Sequence, residues 1–179
     1  NSSNNNIGIG YETLFFNDSG DDNIAIGNYA LKNNKQTKNV AIGSSALTAN
    51  TSGGINTAVG NNALKANTTG GGNTAIGYDA LSSNTTGFTN IALGQNTLKE
   101  NTTGTGNTAL GYASGQNNTT GGSNTYLGNQ TGTTSGSTIS NATAIGANAT
   151  VTTSNTVQLG DTNVTLVQTS GTVSATKFV

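Results

Sequence analysis

The sequence predicts an all-β chain, a β-solenoid of about ten short coils, and three observations carry that expectation. An (Ile/Val/Leu)-Gly pair recurs at a near-constant interval. The residues between the pairs are mostly Gly, Asn and Thr, which suit turns and cannot sustain a helix, because Gly alone costs ~1 kcal/mol relative to Ala at each interior helical position. Finally, the apolar content is too low for a conventional core. The period is read from Gly10, Gly27, Gly43, Gly60, Gly77, Gly94, Gly111, Gly128, Gly146 and Gly160, separated by 17, 16, 17, 17, 17, 17, 17, 18 and 14 residues. Such self-similarity marks a repeat architecture, in which each unit is ordered by its neighbours.

Composition bounds the chemistry. Leu, Ile, Val and Phe together supply 33 of the 179 residues, below the ~20% at which highly charged chains are expected to be disordered. The net charge is only −1, so self-repulsion does not hold the chain open. There is no His and no Cys, which removes the usual zinc sites, thiol nucleophiles, Ser–His relays and disulfides. No metal or cofactor is expected. With no Arg and few Lys, the chain lacks the basic patch that nucleic-acid binding requires. No apolar run approaches the ~20 residues of a membrane span, and Asn1-Ser2-Ser3-Asn4-Asn5-Asn6 is not a signal peptide. An exported protein of this type would carry its signal and anchor outside this chain.

The elements follow from the columns of the repeat, the head running over residues 1–160. Before each glycine stands an aliphatic residue, among them Ile26, Ile42, Val59, Ile76, Leu93, Leu110 and Leu127, and two positions earlier a mainly β-branched one such as Ile24, Val40, Thr57 or Thr74. That alternation predicts a short strand with the aliphatic side facing inward as core. Between them lies almost always Ala, keeping the opposite face small. Four residues after the glycine comes a second apolar column, Leu31, Leu47, Leu64, Leu81 and Leu98, read as core on a second strand-like piece. Asn-Thr-Thr-Gly closes the coil with residues that tolerate turns. Coils stacked every ~4.8 Å would align two Asn columns into amide ladders, one through Asn23, Asn39, Asn56, Asn73 and Asn90, the other through Asn34, Asn50, Asn67, Asn84 and Asn101. So thin a stack leaves one face wet, which favours oligomerisation, and three stacks about an axis close most compactly. Residues 161–179 alternate polar and apolar around Ser170-Gly171 and read as a β-rich shaft or connector segment.

At the Asn-Thr-Ala-Ile-Gly columns the chain resembles the YadA-like head repeats of trimeric autotransporter adhesins. Their motif reads roughly Asn-Ser-Val-Ala-Ile-Gly in 14-residue units. The match is closest at Asn141-Ala142-Thr143-Ala144-Ile145-Gly146, whose next step is 14 residues; the earlier 17-residue coils look like a longer-turned relative. The resemblance implies a left-handed parallel β-roll, assembled as a homotrimeric extracellular fibre that adheres to a glycan or protein on a target cell. Nothing matches the neck, stalk or membrane-anchor segments of those adhesins. The segment after Gly160 looks instead like the shafts of phage tail-fibre-like proteins, so cell-anchored adhesin and tail-type fibre are both open.

Function in a repeat protein is sought where columns break. Tyr11, Tyr78 and Tyr112 follow the glycine in coils one, five and seven, and exposed Tyr can stack on sugars or anchor a protein contact. In the first coil Phe15 and Phe16 interrupt a polar turn, and Asp18, Asp21 and Asp22 gather beside them. These residues are either a cap over the open end of the stack or a ligand-contacting tip with an acidic rim; cap is the favoured reading. Tyr126 replaces Ala where the Leu column fails at Gly115 and Gly132, a transition between repeat types. Lys32, Lys65 and Lys99 alternate with hydroxyls, a spacing that separates like charges on a solvated face or makes a stripe for anionic glycans. Adjacent Asp21 and Asp22 offer no carboxylate pair across a cleft, so catalysis has no seat. The leading expectation is an adhesion head; the alternatives are a non-binding shaft spacer and an ice-binding solenoid using Thr68-Thr69, Thr85-Thr86 and Thr102-Thr103.

Overall fold

The computed structural model describes residues 4–164, and these form a parallel β-solenoid of about nine turns. Ten strands stack in chain order into one sheet: β1 (Ile7–Ile9), β2 (Ile24–Ile26), β3 (Val40–Ile42), β4 (Thr57–Val59), β5 (Thr74–Ile76), β6 (Ile91–Leu93), β7 (Thr108–Leu110), β8 (Thr125–Leu127), β10 (Thr143–Ile145) and β12 (Val157–Leu159). A second, two-stranded sheet pairs β9 (Gly132–Thr133) with β11 (Thr150–Val151). The register puts like on like, Ala58 beside Ala75 and Val59 beside Ile76. The expected shaft falls, from residue 165 onward, outside the described residues.

The orientation of the strands reverses the sequence expectation. The alanines at their centres point inward and are fully buried, as in Ala25, Ala41, Ala58, Ala75, Ala92 and Ala109. The aliphatic residues assigned to the core lie on the outside: Ile42, Ile76, Leu110 and Leu127 are 38–45% exposed, and Ile26, Val59 and Leu93 are half-buried. The reason is thickness. A three-residue strand turns one side chain to one face and two to the other, and the leucine column entering from the far wall leaves room for only a methyl group. Leu31, Leu47, Leu64, Leu81 and Leu98 fill that interior completely.

A second correction concerns the backbone that carries those leucines. It is a run of turns, with i to i+3 bonds such as Ala30 N to Gly27 O at 3.2 Å and Asn34 N to Leu31 O at 3.2 Å. Leu31, Leu64 and Leu98 adopt the left-handed conformation, with φ of 49°, 51° and 49°, as do Tyr29, Asn62 and Asn96 two residues earlier. The conformation costs roughly 1–2 kcal/mol per residue; burying a Leu side chain stabilises by about 1.5–3 kcal/mol, and the coil below supplies a bond at each step, as Leu31 N to Ala46 O at 3.0 Å. Glycine is required where each strand ends. At Gly43, with φ 135°, an added Cβ would lie 2.5 Å from the carbonyl of Gly60 in the next coil.

The asparagines form two continuous ladders, all fully or almost fully buried. In one, the backbone N–H of Asn39 donates to Asn23 Oδ1 at 2.9 Å and its Nδ2 to Gly53 O at 3.0 Å. In the other, Asn67 Nδ2 donates to Asn50 Oδ1 and to Gly70 O, both at 2.9 Å. Gly70 O also accepts from Asn56 Nδ2 at 3.0 Å, so one turn carbonyl ties the ladders together.

Two stability predictions follow. Asn84→Ala removes two donated bonds, to Asn67 Oδ1 and Gly87 O, and one of the two acceptors of Asn101 Nδ2, which keeps Gly104 O; with each buried orphan costing ~1–3 kcal/mol, the expected loss is about 2 kcal/mol or more in urea unfolding, with Asn84→Asp more destabilising still. The position five before the glycine also needs positive φ, and Asn5, Gly72, Gly106 and Asn141 supply it where Ile55 (φ 61°) and Thr89 (φ 55°) are strained β-branched residues. Because Ile55 is 68% exposed, Ile55→Asn should gain about 1 kcal/mol, read as a higher melting temperature.

Candidate functional site

Three places in the structure depart from inert scaffold. The first is the outer face of the ten-stranded sheet. One column runs Ile26, Ile42, Val59, Ile76, Leu93, Leu110, Leu127 without a polar break, and the neighbouring column mixes Ile24, Val40 and Ile91 with Thr57, Thr74, Thr108 and Thr125. The first column is a continuous aliphatic stripe, and an exposed apolar stripe of this kind is a candidate interaction surface; the second, with four threonines among these seven residues, is not apolar throughout. Sequence reasoning missed the face because both sides of an aliphatic-Ala-aliphatic strand are apolar, so alternation gives the spacing and not the direction.

The second place is the N-terminal coil. Phe15 and Phe16 pack edge to face, with ring centroids 4.8 Å apart, and remain 60% and 51% exposed. Of this turn, Leu14 packs against the core. Tyr11 meets the ring of Tyr29 edge-on at 5.5 Å, and Lys32 Nζ sits 5.4 Å from the Tyr29 centroid while pairing with Glu12 at 2.6 Å. The Lys32 hydrogen bond holds the Glu12 carboxyl below its ordinary range, and the bond to Glu12 pushes the Tyr11 phenol up. Tyr29 went unrecognised in the sequence because its column is polar in other coils. The acidic residues hold the first turn: Asp21 Oδ1 accepts from Asn4 N at 2.7 Å and Asp22 Oδ1 from Asn5 Nδ2 at 3.1 Å, while Asp18 is exposed. Among the described residues no three His, Cys, Asp or Glu side chains gather closely enough to hold a metal ion. Tyr78 and Tyr112 are exposed, far from this cluster in the stack.

Lys99 pairs with Asp79 of the preceding coil at 3.0 Å, the same cross-coil geometry as Lys32 with Glu12. Two of the three cations in the alternating column are therefore matched to acids, which weakens the case for an anion-binding stripe. The threonine pairs proposed for ice are also partly committed, since Thr68, Thr85 and Thr102 donate their hydroxyls to carbonyls of the next coil at 3.0, 3.0 and 3.1 Å.

The third place is the break at Tyr126. Its ring is fully buried where other coils have Ala, and it occupies the space vacated by the Leu column: a Cβ on Gly115 (φ 63°) would lie 2.5 Å from Tyr126 Cδ2. A large residue in one wall is thus matched by glycine in the other. The phenol stands beside Asn118 Oδ1 at 3.5 Å, and burial pushes its pKa well above that of an ordinary tyrosine.

No protein-family profile, curated protein or solved structure matches this chain.

Tyr126 makes the fold sensitive to alkali. Its pKa is raised on folding, so its contribution is complete below the unfolded value near 10 and is lost as pH rises toward the folded value. Above about pH 10, stability should fall by up to ~1.4 kcal/mol per pH unit from this group alone. Thermal melts from pH 8 to 12 should show this decline in the wild type and a shallower one in Tyr126→Phe.

Proposed function

We propose that the chain is the adhesive head of a homotrimeric extracellular fibre, with the outer aliphatic face of the sheet as the seam between copies and with an anchor outside this chain. One observation carries the reading: an unbroken aliphatic column lies exposed along the stack while the small interior of the coil is already full of Ala, Leu and Asn. A left-handed β-roll in threes would bury that column and leave the turn-borne residues outward. The resemblance of the repeat to YadA-like heads supports the same arrangement, either as a cell-anchored adhesin or as a tail-type fibre.

Adhesion to a glycan or surface protein would then use residues off the seam. Tyr11, Phe15 and Phe16, joined by Tyr29 and Lys32, give aromatic faces and one cation at the N-terminal end. Aromatic anchors of this kind dominate recognition surfaces. If the chain is only a shaft spacer, it binds no glycan array under any conditions.

A second reading has an observation of its own. Thr57, Thr74, Thr108, Thr125 and Thr143 share the outer face with an aliphatic residue two positions on, a threonine column broken once, at Ile91, and of the kind that can order water. Self-association would hide it, so the two readings exclude each other. Sedimentation separates them: at micromolar concentration the wild type should run as a trimer and produce no thermal hysteresis.

The seam is tested by Ile76→Asp combined with Leu110→Asp. Both residues are more than 40% exposed in the single chain, so the monomer fold should survive by circular dichroism. A pair of carboxylates per copy on the axis should shift the trimer to monomer, because charges cannot be buried there unpaired. An unchanged sedimentation coefficient would place the seam elsewhere.

A further inference from the structure

A groove lies beside the break that seats Tyr126. On the turn side of coils seven and eight is a concavity of about 210 Å³, lined by Ala113 and Gly132 and by the polar residues Gln116, Asn117, Gln130, Thr131 and Thr133. Ala113 and Gly132 at its base are buried.

The lining has a definite chemistry. It contains no ionisable side chain, and its polar side chains are three carboxamides and two threonine hydroxyls. Asn117 is committed, its Nδ2 donating to Thr133 O at 3.2 Å. The side-chain amides of Gln116 and Gln130 make no hydrogen bond among the described residues, although their backbones are held by Gln116 N to Ala113 O at 3.3 Å and Gln130 N to Tyr112 O at 2.8 Å. Two fixed backbones therefore carry two free amides, each with donors and an acceptor, around a pocket smaller than the ~300 Å³ at which drug-sized sites begin. Exposed Tyr112 is bonded through its carbonyl to the groove wall.

We propose that this groove is a subsite for one neutral sugar ring, whose hydroxyls are bonded by Gln116 and Gln130. The inference rests on the adhesion reading and gives it a ligand class. Size admits one ring. Neutral amides match paired hydroxyl donors and acceptors, and the absence of Lys or Arg from the lining disfavours sialic or uronic acids. This places recognition at the column break, distinct from the aromatic cluster at the N-terminal end.

The test is a titration of isotope-labelled protein with galactose, glucose, mannose, N-acetylglucosamine and glucuronate, following side-chain amide resonances. The expected result is a saturable shift of Gln116 and Gln130 with at least one neutral sugar, none with glucuronate, and at least a tenfold weaker response in Gln116→Ala and Gln130→Ala. Both side chains project from the surface, so the backbone spectra of the variants should otherwise overlay the wild type. No saturable shift with any neutral sugar, equal binding by the variants, or preference for glucuronate would overturn the subsite. A glycan array separates this from the adhesion reading: undiminished array binding by the double variant removes the subsite and leaves adhesion standing, whereas no array binding by wild type removes glycan adhesion and the subsite with it.

Discussion

The buried asparagine carboxamide is the interaction on which this structure depends. Along one ladder a side chain bonds the coil before it, the coil after it and its own turn, as Asn84 does with Asn67, Asn101 and Gly87; along the other, the backbone N–H shares the task, as Asn56 N donates to Asn39 Oδ1 while its Nδ2 donates to Gly70 O. A hydrophobic contact tolerates sliding; a buried amide with all its partners fixed does not, because a shift by one residue would leave several polar groups desolvated at once. The ladders therefore set the register of the ten-stranded sheet and the near-constant length of the coil. They also explain how a chain with little apolar bulk can order itself: polarity that would normally oppose burial is satisfied by repetition.

Satisfying the ladder constrains the rest of the coil. The backbone must return to the same place every 17 residues, and it does so through left-handed residues that include the buried leucines themselves. Leucine is a poor resident of that region, yet each of Leu31, Leu47, Leu64, Leu81 and Leu98 occupies it, so the interior is obtained by accepting local strain. Ile55 and Thr89 show that strain is tolerated even where no core is gained. Additive contributions along the stack let the whole absorb such costs, since each coil interacts only with its neighbours.

The period, the strand positions, the leucine column and both Asn ladders were legible in the sequence, because each depends on identity at a fixed spacing. What could not be read was direction. Val40-Ala41-Ile42 has apolar residues on both faces, and only the thickness of the folded coil decides that Ala41 goes in and Ile42 out. The turn around Leu31 was misread as strand for a related reason: an apolar column at fixed spacing reports burial without reporting φ. At the N-terminal end, it is the half-buried Leu14 that packs against the core, while the rings of Phe15 and Phe16 stay largely exposed, a division that an apolar run of three residues does not announce. The partnership of Tyr126 with Gly115 joins residues eleven apart across the coil, a relation visible only once the walls face each other.

Repetition also limits where recognition can occur. Identical columns generate stripes, and a stripe suits a partner with the same period, which is another copy of this chain. A ligand of a few ångströms needs a local irregularity. The described residues offer two on the turns, the aromatic cluster of the first coil and the hollow beside Gly132, and they differ in kind. The first projects flat rings suited to stacking; the second is a hollow bordered by carboxamides suited to hydroxyls. The aliphatic face, by contrast, has regularity without recess. On the proposed reading, self-association on the face and binding at the breaks would be complementary uses of one repeat, and a trimer would present each break three times, so that weak single-site affinity would be raised by multivalent attachment.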